Sequence, residues 1–122
     1  MPPLSLLQVT PHEIVVCKPL GLPSELPRDP GADSLVTRLR AEGFPDLRLV
    51  HRLDAPACGV MIVARSSEAA AYYSSEISER RWHKTYVADV GMAAEPAQAL
   101  LGDHKAYLAT EGRRARVVRS GG

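Results

Sequence analysis

The sequence predicts an α+β fold with a mixed, mostly antiparallel β-sheet and flanking helices. Three observations support this class: short β-branched runs such as EIVVCK and VMIVA, two stretches of helical period, and a chain order in which strands and helices alternate before two final strands. The 122 residues contain 45% hydrophobic and 24% charged residues, as is typical of a globular protein. We therefore predict a single domain over residues 1–122.

The N-terminal third predicts one strand between two irregular segments. Residues 1–12 contain three prolines and predict an extended lead-in. Residues 13–19 are rich in β-branched side chains and end at a proline, which favours a strand. Residues 19–31 carry four prolines and two glycines, a composition that excludes helix and central strand alike and predicts a stiff loop.

A helix and a strand are predicted next. Residues 32–43 show an apolar stripe of helical period, which predicts a helix. Asp33 or Ser34 can cap the start of this helix, and Gly43 can end it. Residues 47–53 alternate between apolar and polar side chains, which predicts a strand.

The middle of the chain contains the strongest patterns. Residues 54–59 include a proline and predict a turn, and the continuous apolar run 60–64 predicts a buried strand. Residues 66–81 predict a helix, because two serines can cap its start and two arginines would fall in its last turn.

The C-terminal part gives weaker signals. Alternation over residues 83–90 predicts a strand, whereas residues 91–103 are ambiguous. Residues 105–109 and 115–119 predict two further strands around a TEGRR turn.

Charge and cysteine usage narrow the class of protein. The net charge of +1 gives no global signal for nucleic-acid binding, so any such signal must be local. Cys17 and Cys58 have no metal-binding spacing, and we expect them to be reduced thiols in a cytoplasmic protein. The N-terminus does not resemble a signal peptide, and no apolar run approaches the length of a membrane span.

Asp54 is the candidate catalytic residue. It follows the predicted strand 47–53, and in an extended strand Arg52 points to the same face. A carboxylate can act as a base or as a nucleophile toward a sugar carbon or a phosphoryl group. Arg52 would keep it ionised and could bind a phosphate. On these residues alone, a surface Arg–Asp pair is the plainer interpretation.

Two longer stretches add context to this acid. HRLDAPACG, followed by VMIVARSSEAAAYYSSEISERRWHKTYVADV, resembles the RluA-type pseudouridine synthases. Their signature is His-Arg-Leu-Asp, two variable residues, Thr-Ser and Gly, followed by an apolar strand, a helix and a strand with Lys-x-Tyr. EIVVCKPLGLPSE is similar to the family's strand ending in Asn-Lys-Pro and its Gly-Leu-Pro-type loop. The resemblance implies the catalytic fold of that family.

The resemblance also implies roles for three residues. Asp54 would attack uridine at C1′ of the ribose, or act as the base that starts glycal formation. Arg52 would help to displace or replace the flipped-out uridine, and Tyr86 would lie against the target base. The uracil detaches, turns and rejoins through C5, which requires no metal and no redox cofactor.

The expected partner is RNA, specifically a structured stem-loop of rRNA or tRNA, where extruding a uridine costs least. The residues expected to bind it are Lys18, His51, Lys84, Arg113 and Arg114. For Lys84 and for the two arginines, a solvated strand or hairpin end is the alternative interpretation. The four histidines are dispersed, so we expect no metal site, and we expect no membrane association.

The sequence departs from the family's pattern at two places in the motifs and in its length. Ala57-Cys58 stands where the family has Thr-Ser, and Cys17 stands where an Asn precedes Lys-Pro. Family members are also longer, and their C-terminal part supplies more sheet and an Arg that supports the catalytic Asp. We therefore expect a partial catalytic domain whose unpaired strand edges favour self-association.

Two alternatives remain open. The chain could be an RNA-binding protein of the same fold with impaired catalysis, which would bind RNA without rearranging uridine. It could also be an unrelated carboxylate-based enzyme, such as a small hydrolase, which would have no RNA affinity.

Overall fold

The computed structural model describes residues 3–26, 28, 29, 31–112 and 114–118, without the side chains of Ala97 and Glu111. The chain divides into two compact units, residues 1–84 and 85–122. The strands and helices, in chain order, are β1 (Ser5–Val9), β2 (Glu13–Lys18), α1 (Leu35–Ala41), β3 (Arg48–Leu49), β4 (Gly59–Ala64), α2 (Ser67–Ser78), α3 (Ala94–Gln98), β5 (Tyr107–Glu111) and β6 (Arg114–Val118).

The sheet of the first unit has the strand order β1-β2-β4-β3, with antiparallel neighbours throughout. Across the central pair, Ile14 lies opposite Val63 and Val16 lies opposite Met61. All four side chains are buried, because alternate residues of a strand point to the same face. This face of the sheet carries the core.

Helix α1 begins with a reciprocal cap. The Ser34 hydroxyl accepts the N–H of Thr37, and the Thr37 hydroxyl accepts the N–H of Ser34. The buried side chains Leu35 and Leu39 join the sheet residues in one hydrophobic cluster. The same cluster includes Leu22 of the proline-rich segment and Leu53, the residue before Asp54. The core therefore extends directly beneath the candidate catalytic loop.

Helix α2 is capped at its start by Ser66, whose hydroxyl accepts the N–H of Ala69. It ends at Ser78, and Arg80 adopts a left-handed backbone with a φ of 58°. The prediction of a helix through residue 81 was therefore too long. Arg80 and Arg81 lie beyond the helix, where the backbone has already turned.

The second unit contains α3 and a hairpin. β5 and β6 are antiparallel, with Tyr107 opposite Val118 and Glu111 opposite Arg114. The two predicted C-terminal strands are present with shifted bounds, since Thr110, Glu111 and Arg114 of the predicted TEGRR turn belong to β5 and β6. Helix α3 lies in the stretch that the sequence left ambiguous. Among the side chains that the structure describes in residues 85–118, none is buried. The hairpin is therefore held by its ladder rather than by an apolar core.

The predicted fold class is confirmed: the chain is α+β and its described strands pair antiparallel. Part of the predicted lead-in 1–12 forms β1, which pairs with β2. The predicted strand 47–53 is reduced to Arg48–Leu49. The predicted strand 83–90 was wrong, because the structure assigns that segment no strand.

The segment 83–90 shows why alternation alone is insufficient. Its residues have the period of a strand, but a strand also requires a neighbour to pair its N–H and C=O groups. Val87 is 96% exposed and Tyr86 is 66% exposed, so neither face of the segment is covered. In the described part of the chain, no helix is long and apolar enough to span a bilayer.

Candidate active site

Asp54 lies in a turn between β3 and β4. Its carbonyl oxygen accepts the N–H of Ala57 at 2.9 Å, which closes the turn, and its side chain is exposed. Leu53, immediately before it, is buried in the hydrophobic cluster. The backbone is thus held down on one side while the carboxylate points away from the core. This arrangement allows a substrate to reach the acid.

Residues 19–26, called the proline loop below, contact the chain on both sides of Asp54. The Ser24 hydroxyl donates to the Leu53 carbonyl at 2.5 Å and accepts the Leu53 N–H at 3.1 Å. The Gly21 N–H donates to the carbonyl of Ala55 at 2.7 Å. The residues before and after the candidate acid are therefore both hydrogen-bonded to the same loop.

The proline loop is itself anchored to α1. The Leu35 N–H donates to the backbone carbonyl of Pro23 at 2.8 Å, and the Val36 N–H donates to the backbone carbonyl of Ser24 at 3.2 Å. These donors belong to the first turn of the helix, where backbone N–H groups lack partners within the helix. The loop satisfies them and gains a rigid support.

Lys18 supports the other end of the loop. Its side chain is fully buried, and its ammonium group donates to the carbonyl oxygens of Pro19 and Leu22. Burial lowers the pKa of Lys18, and the nearby Cys58 and Asp54 act in the opposite direction. Lys18 was predicted to bind RNA. The structure places its amine inside the protein, and an RNA contact stays a prediction.

Arg52 is paired with Glu25. Its guanidinium lies 3.5 Å from the Glu25 carboxylate, and both side chains are well exposed. Among the ion pairs in the described residues, none joins Arg52 to Asp54. The proline loop therefore contacts Arg52 through a side chain as well, but only weakly. An exposed pair of this kind contributes about 0–1 kcal/mol.

The His51 side chain is hydrogen-bonded to strand β4. Its Nε2 accepts the N–H of Ile62 in β4 at 3.0 Å, just past the point where β3 ends. Its ring meets the ring of Trp82 edge to face, with centroids 5.1 Å apart. Burial and the charge of Lys84 lower the pKa of His51, which favours the neutral acceptor form. Its predicted contact with RNA is untested by this geometry.

The remaining predicted site residues lie elsewhere along the chain. Lys84 is exposed at the end of the first unit. Tyr86 and Arg114 belong to the second unit and are exposed, Arg114 as the first residue of β6. Arg113 lies outside the described residues. Within the first unit, the structure thus brings His51, Arg52 and Asp54 to one loop with Lys18 beneath it.

The altered residues of the turn bear on how Asp54 is held. Ala57 packs against the hydrophobic cluster, and Cys58 is an exposed free thiol. Because the turn closes through the backbone bond from Ala57 to Asp54, it forms without the hydroxyl groups of the expected Thr-Ser. Gly59 follows with a φ of +145°, a conformation that favours glycine.

Sequence reasoning missed Ser24, Gly21 and Glu25. They lie in PLGLPSE, a stretch that the resemblance covers but from which it assigned no role. The partner of Ser24 is 29 residues away, so no local pattern could have indicated the contact. The only available signal was a serine and an acid within an otherwise apolar, proline-rich loop.

Metal ligation and a cavity are two other features that could form a site. No group of three or more His, Cys, Asp or Glu side chains in the described residues could hold a metal ion. A cavity of about 680 Å³ is lined by part of the proline loop together with Leu4, Cys17 and the Asp33–Arg38 ion pair, among others. Asp54 is not part of its lining, so this cavity does not contain the candidate acid.

Comparison with known proteins identifies the class. The family model described as RNA pseudouridylate synthase matches residues 12–118, and the chain belongs to this family. The dual-specificity RNA pseudouridine synthase RluA of Salmonella typhi is 37% identical over 101 residues, covering 82% of this chain and 46% of that protein. RluA of Yersinia pestis is 41% identical over 80 residues, covering 65% of this chain and 38% of that protein.

A solved structure supports the fold. Human RNA pseudouridylate synthase domain containing 4 superposes with a TM-score of 0.50 at 24% sequence identity, over 63% of this chain and 30% of that chain. The RluA-type resemblance expected from the sequence is confirmed. The chain spans less than half the length of the curated relatives named here.

Proposed function

We propose that this chain carries the catalytic carboxylate of an RNA pseudouridine synthase, an isomerase that converts uridine to pseudouridine. The observation that carries the proposal is the placement of Asp54: an exposed carboxylate on a turn whose neighbours, Leu53 and Ala55, are both bonded to the proline loop. Family membership supports the reaction class.

The reaction rearranges bonds within one nucleotide. The bond between N1 of uracil and C1′ of ribose breaks, and a bond between C5 and C1′ forms. C5 loses its hydrogen as a proton and N1 gains a proton, so nothing is oxidised or reduced. The Asp54 carboxylate starts the reaction, either as the nucleophile at C1′ or as the base that leads to a glycal.

Arg52 is proposed to help displace or replace the extruded uridine, and Tyr86 is proposed to lie against its base. The weak, exposed pairing of Arg52 with Glu25 supports this role, because leaving Glu25 for the RNA costs about 1 kcal/mol or less. Tyr86 is 66% exposed, so its ring is accessible to a base. Lys84, Arg113 and Arg114 are proposed to contact RNA phosphates.

The proposed substrate is a structured stem-loop of rRNA or tRNA, since a loop uridine leaves its stack at lowest cost. The proposed location is the cytoplasm. The free thiols of Cys17 and Cys58 are in keeping with a reducing compartment.

The test is an assay of the complete protein that carries this sequence. RNA hairpins with tritium at C5 of loop uridines should release tritium to water, because C5 loses its hydrogen in the reaction. Asp54→Asn should lower kcat by about 10²–10⁴-fold or more, since an amide is neither base nor nucleophile. Asp46→Asn is the matched control: Asp46 is exposed and paired with Arg48 at 3.7 Å.

Three outcomes separate the hypotheses. Full activity in the Asp54→Asn variant would exclude Asp54 as the catalytic group. RNA binding without tritium release by the unmodified protein would instead support a catalytically impaired RNA-binding protein of this fold. Absence of both in a folded protein would contradict the proposed activity, and family membership leaves no place for an unrelated carboxylate enzyme.

A further inference from the structure

We infer that Ser24 is a positioning residue for the reaction: its hydroxyl fixes the backbone immediately before Asp54 and so sets where the carboxylate meets the ribose. This inference rests on the proposed function and deepens it. It concerns a residue that touches neither substrate nor reacting atoms, and that acts through Leu53.

Ser24 contacts Leu53 through two hydrogen bonds. One hydroxyl serves both backbone groups of one residue, donating to the Leu53 carbonyl and accepting the Leu53 N–H. A neighbouring strand would normally supply these two bonds, but β3 has already ended at Leu49. Ser24 therefore takes the place of a strand at the point where the sheet no longer reaches.

The contact between Ser24 and Leu53 is buried. Ser24 is 4% exposed and Leu53 is 9% exposed, so water cannot readily replace the hydroxyl. Buried backbone N–H and C=O groups need partners, and the two of Leu53 depend on this one side chain. Removing the hydroxyl would leave both without their partner and allow the turn to shift.

Ser24 is itself held by helix α1. Its own carbonyl accepts the N–H of Val36 in the first turn of α1. Gly21, three residues earlier, is bonded to Ala55 on the other side of Asp54. A continuous set of bonds thus runs from a helix through the proline loop to the residues that flank the acid.

Such support affects the chemical step more than binding. A catalytic group has to be held to about 0.5 Å, and a misplacement of about 1 Å can cost 10²-fold in rate. The proposed phosphate contacts of Lys84, Arg113 and Arg114, by contrast, do not involve Leu53. Loss of Ser24 should therefore lower kcat and leave KM nearly unchanged.

The experiment compares three variants of the complete protein, using hairpins tritiated at uridine C5. We expect Ser24→Ala to lower kcat by about 10–100-fold with KM changed less than about threefold. Ser24→Thr, which keeps the hydroxyl, should recover most of the kcat. Val63→Ala is the control for simple destabilisation, since Val63 is buried and pairs with Ile14 and Leu49 in the sheet.

A second measurement needs no RNA. Amide hydrogen exchange at Leu53 should be slow in the unmodified protein and in Ser24→Thr, and faster in Ser24→Ala. If Ser24→Ala does not fold, Ser24→Cys replaces it, because a thiol is a weak donor and a weak acceptor. Its kcat should then lie between that of the unmodified protein and complete loss.

The results that overturn the inference are distinct from failure of the proposed function. A folded Ser24→Ala variant that keeps its kcat, or loses no more than Val63→Ala does, would exclude the positioning role while the protein remains a synthase. An unmodified protein that releases no tritium would overturn the proposed function, and the positioning role with it.

Discussion

The proline loop and residues 85–91 both lack regular secondary structure, yet the first contains buried, hydrogen-bonded residues and the second is exposed. In the proline loop, Leu22 and Ser24 are each 4% exposed. In residues 85–91, Val87 is 96% exposed. The proline loop has the less regular sequence of the two. The difference shows that partners for the backbone, and not sequence period, decide which irregular segment is fixed.

The partners of the proline loop come from three parts of the first unit. They are the first N–H groups of α1, the Lys18 ammonium and the backbone on both sides of Asp54. Residues 85–91 have alternating side chains, and the described structure gives them no neighbouring strand. Matched substitutions in the two segments can break or sharpen this comparison.

The largest effect is expected from Leu22→Ala. Leu22 belongs to the hydrophobic cluster, so truncation removes apolar burial and leaves a cavity, which costs about 2–5 kcal/mol of the free energy of unfolding. Val87→Ala should change it by less than about 0.5 kcal/mol. Urea unfolding of both variants measures the difference. Equal effects would mean that the two segments are not distinguished by burial.

Lys18→Met should destabilise the protein by about 2 kcal/mol. The substitution leaves the carbonyls of Pro19 and Leu22 without their charged donor, at about 1–3 kcal/mol for each buried group, and relief of the buried charge returns part of that cost. Lys84→Met is the control, because Lys84 is exposed. The same urea titration applies, and an unchanged midpoint for Lys18→Met would show that the loop is held without the amine.

Gly21→Ala tests the backbone of the loop alone. Gly21 has a φ of +85°, which an L side chain adopts at a cost of about 1–2 kcal/mol, and an added Cβ would meet nothing within 4 Å. At Gly91 an added Cβ also meets nothing within 4 Å, and the backbone is outside the left-handed region. Gly91→Ala should therefore be neutral or slightly stabilising. Thermal unfolding that ranks the two variants the other way would contradict this.

Much of the fold could be predicted from the sequence, because the signals that specify it are local. The β-branched runs predicted β2 and β4, and serine caps with helical period predicted α1 and α2. The predictions failed where a distant partner decides the outcome. Segment 83–90 has strand period, but none of the described strands pairs with it, and β1 was not predicted because prolines flank it, although it pairs with β2.

Part of the candidate site could also be predicted from the sequence, and part of it could not. Asp54 and Arg52 could be selected because a resemblance spanning several motifs gave them roles. The hydrogen bonds that hold the backbone beside Asp54 could not be predicted, because the Ser24 hydroxyl and Leu53 are 29 residues apart in the chain. The sequence likewise suggested that Arg52 pairs with Asp54, whereas its guanidinium lies against Glu25. Because β3 ends at Leu49, Arg52 and Asp54 do not share a strand face, and the proline loop supplies a carboxylate to the guanidinium instead.

The smallest expected effect concerns His51, whose hydrogen bond to β4 holds the chain three residues before Asp54. Its neutral imidazole accepts the N–H of Ile62, and its pKa is lowered below 6.5 in the folded protein. As the pH falls below about 6.5, the unfolded chain takes up a proton first, so the free energy of unfolding should decrease until the folded imidazole also protonates. The bond contributes about 1 kcal/mol or less. Urea unfolding between pH 7.5 and pH 5 should therefore show a slightly weaker pH dependence in His51→Gln than in the unmodified protein or in His12→Gln. An identical dependence in all three would mean that this anchor, unlike those of the proline loop, does not depend on the charge of the side chain.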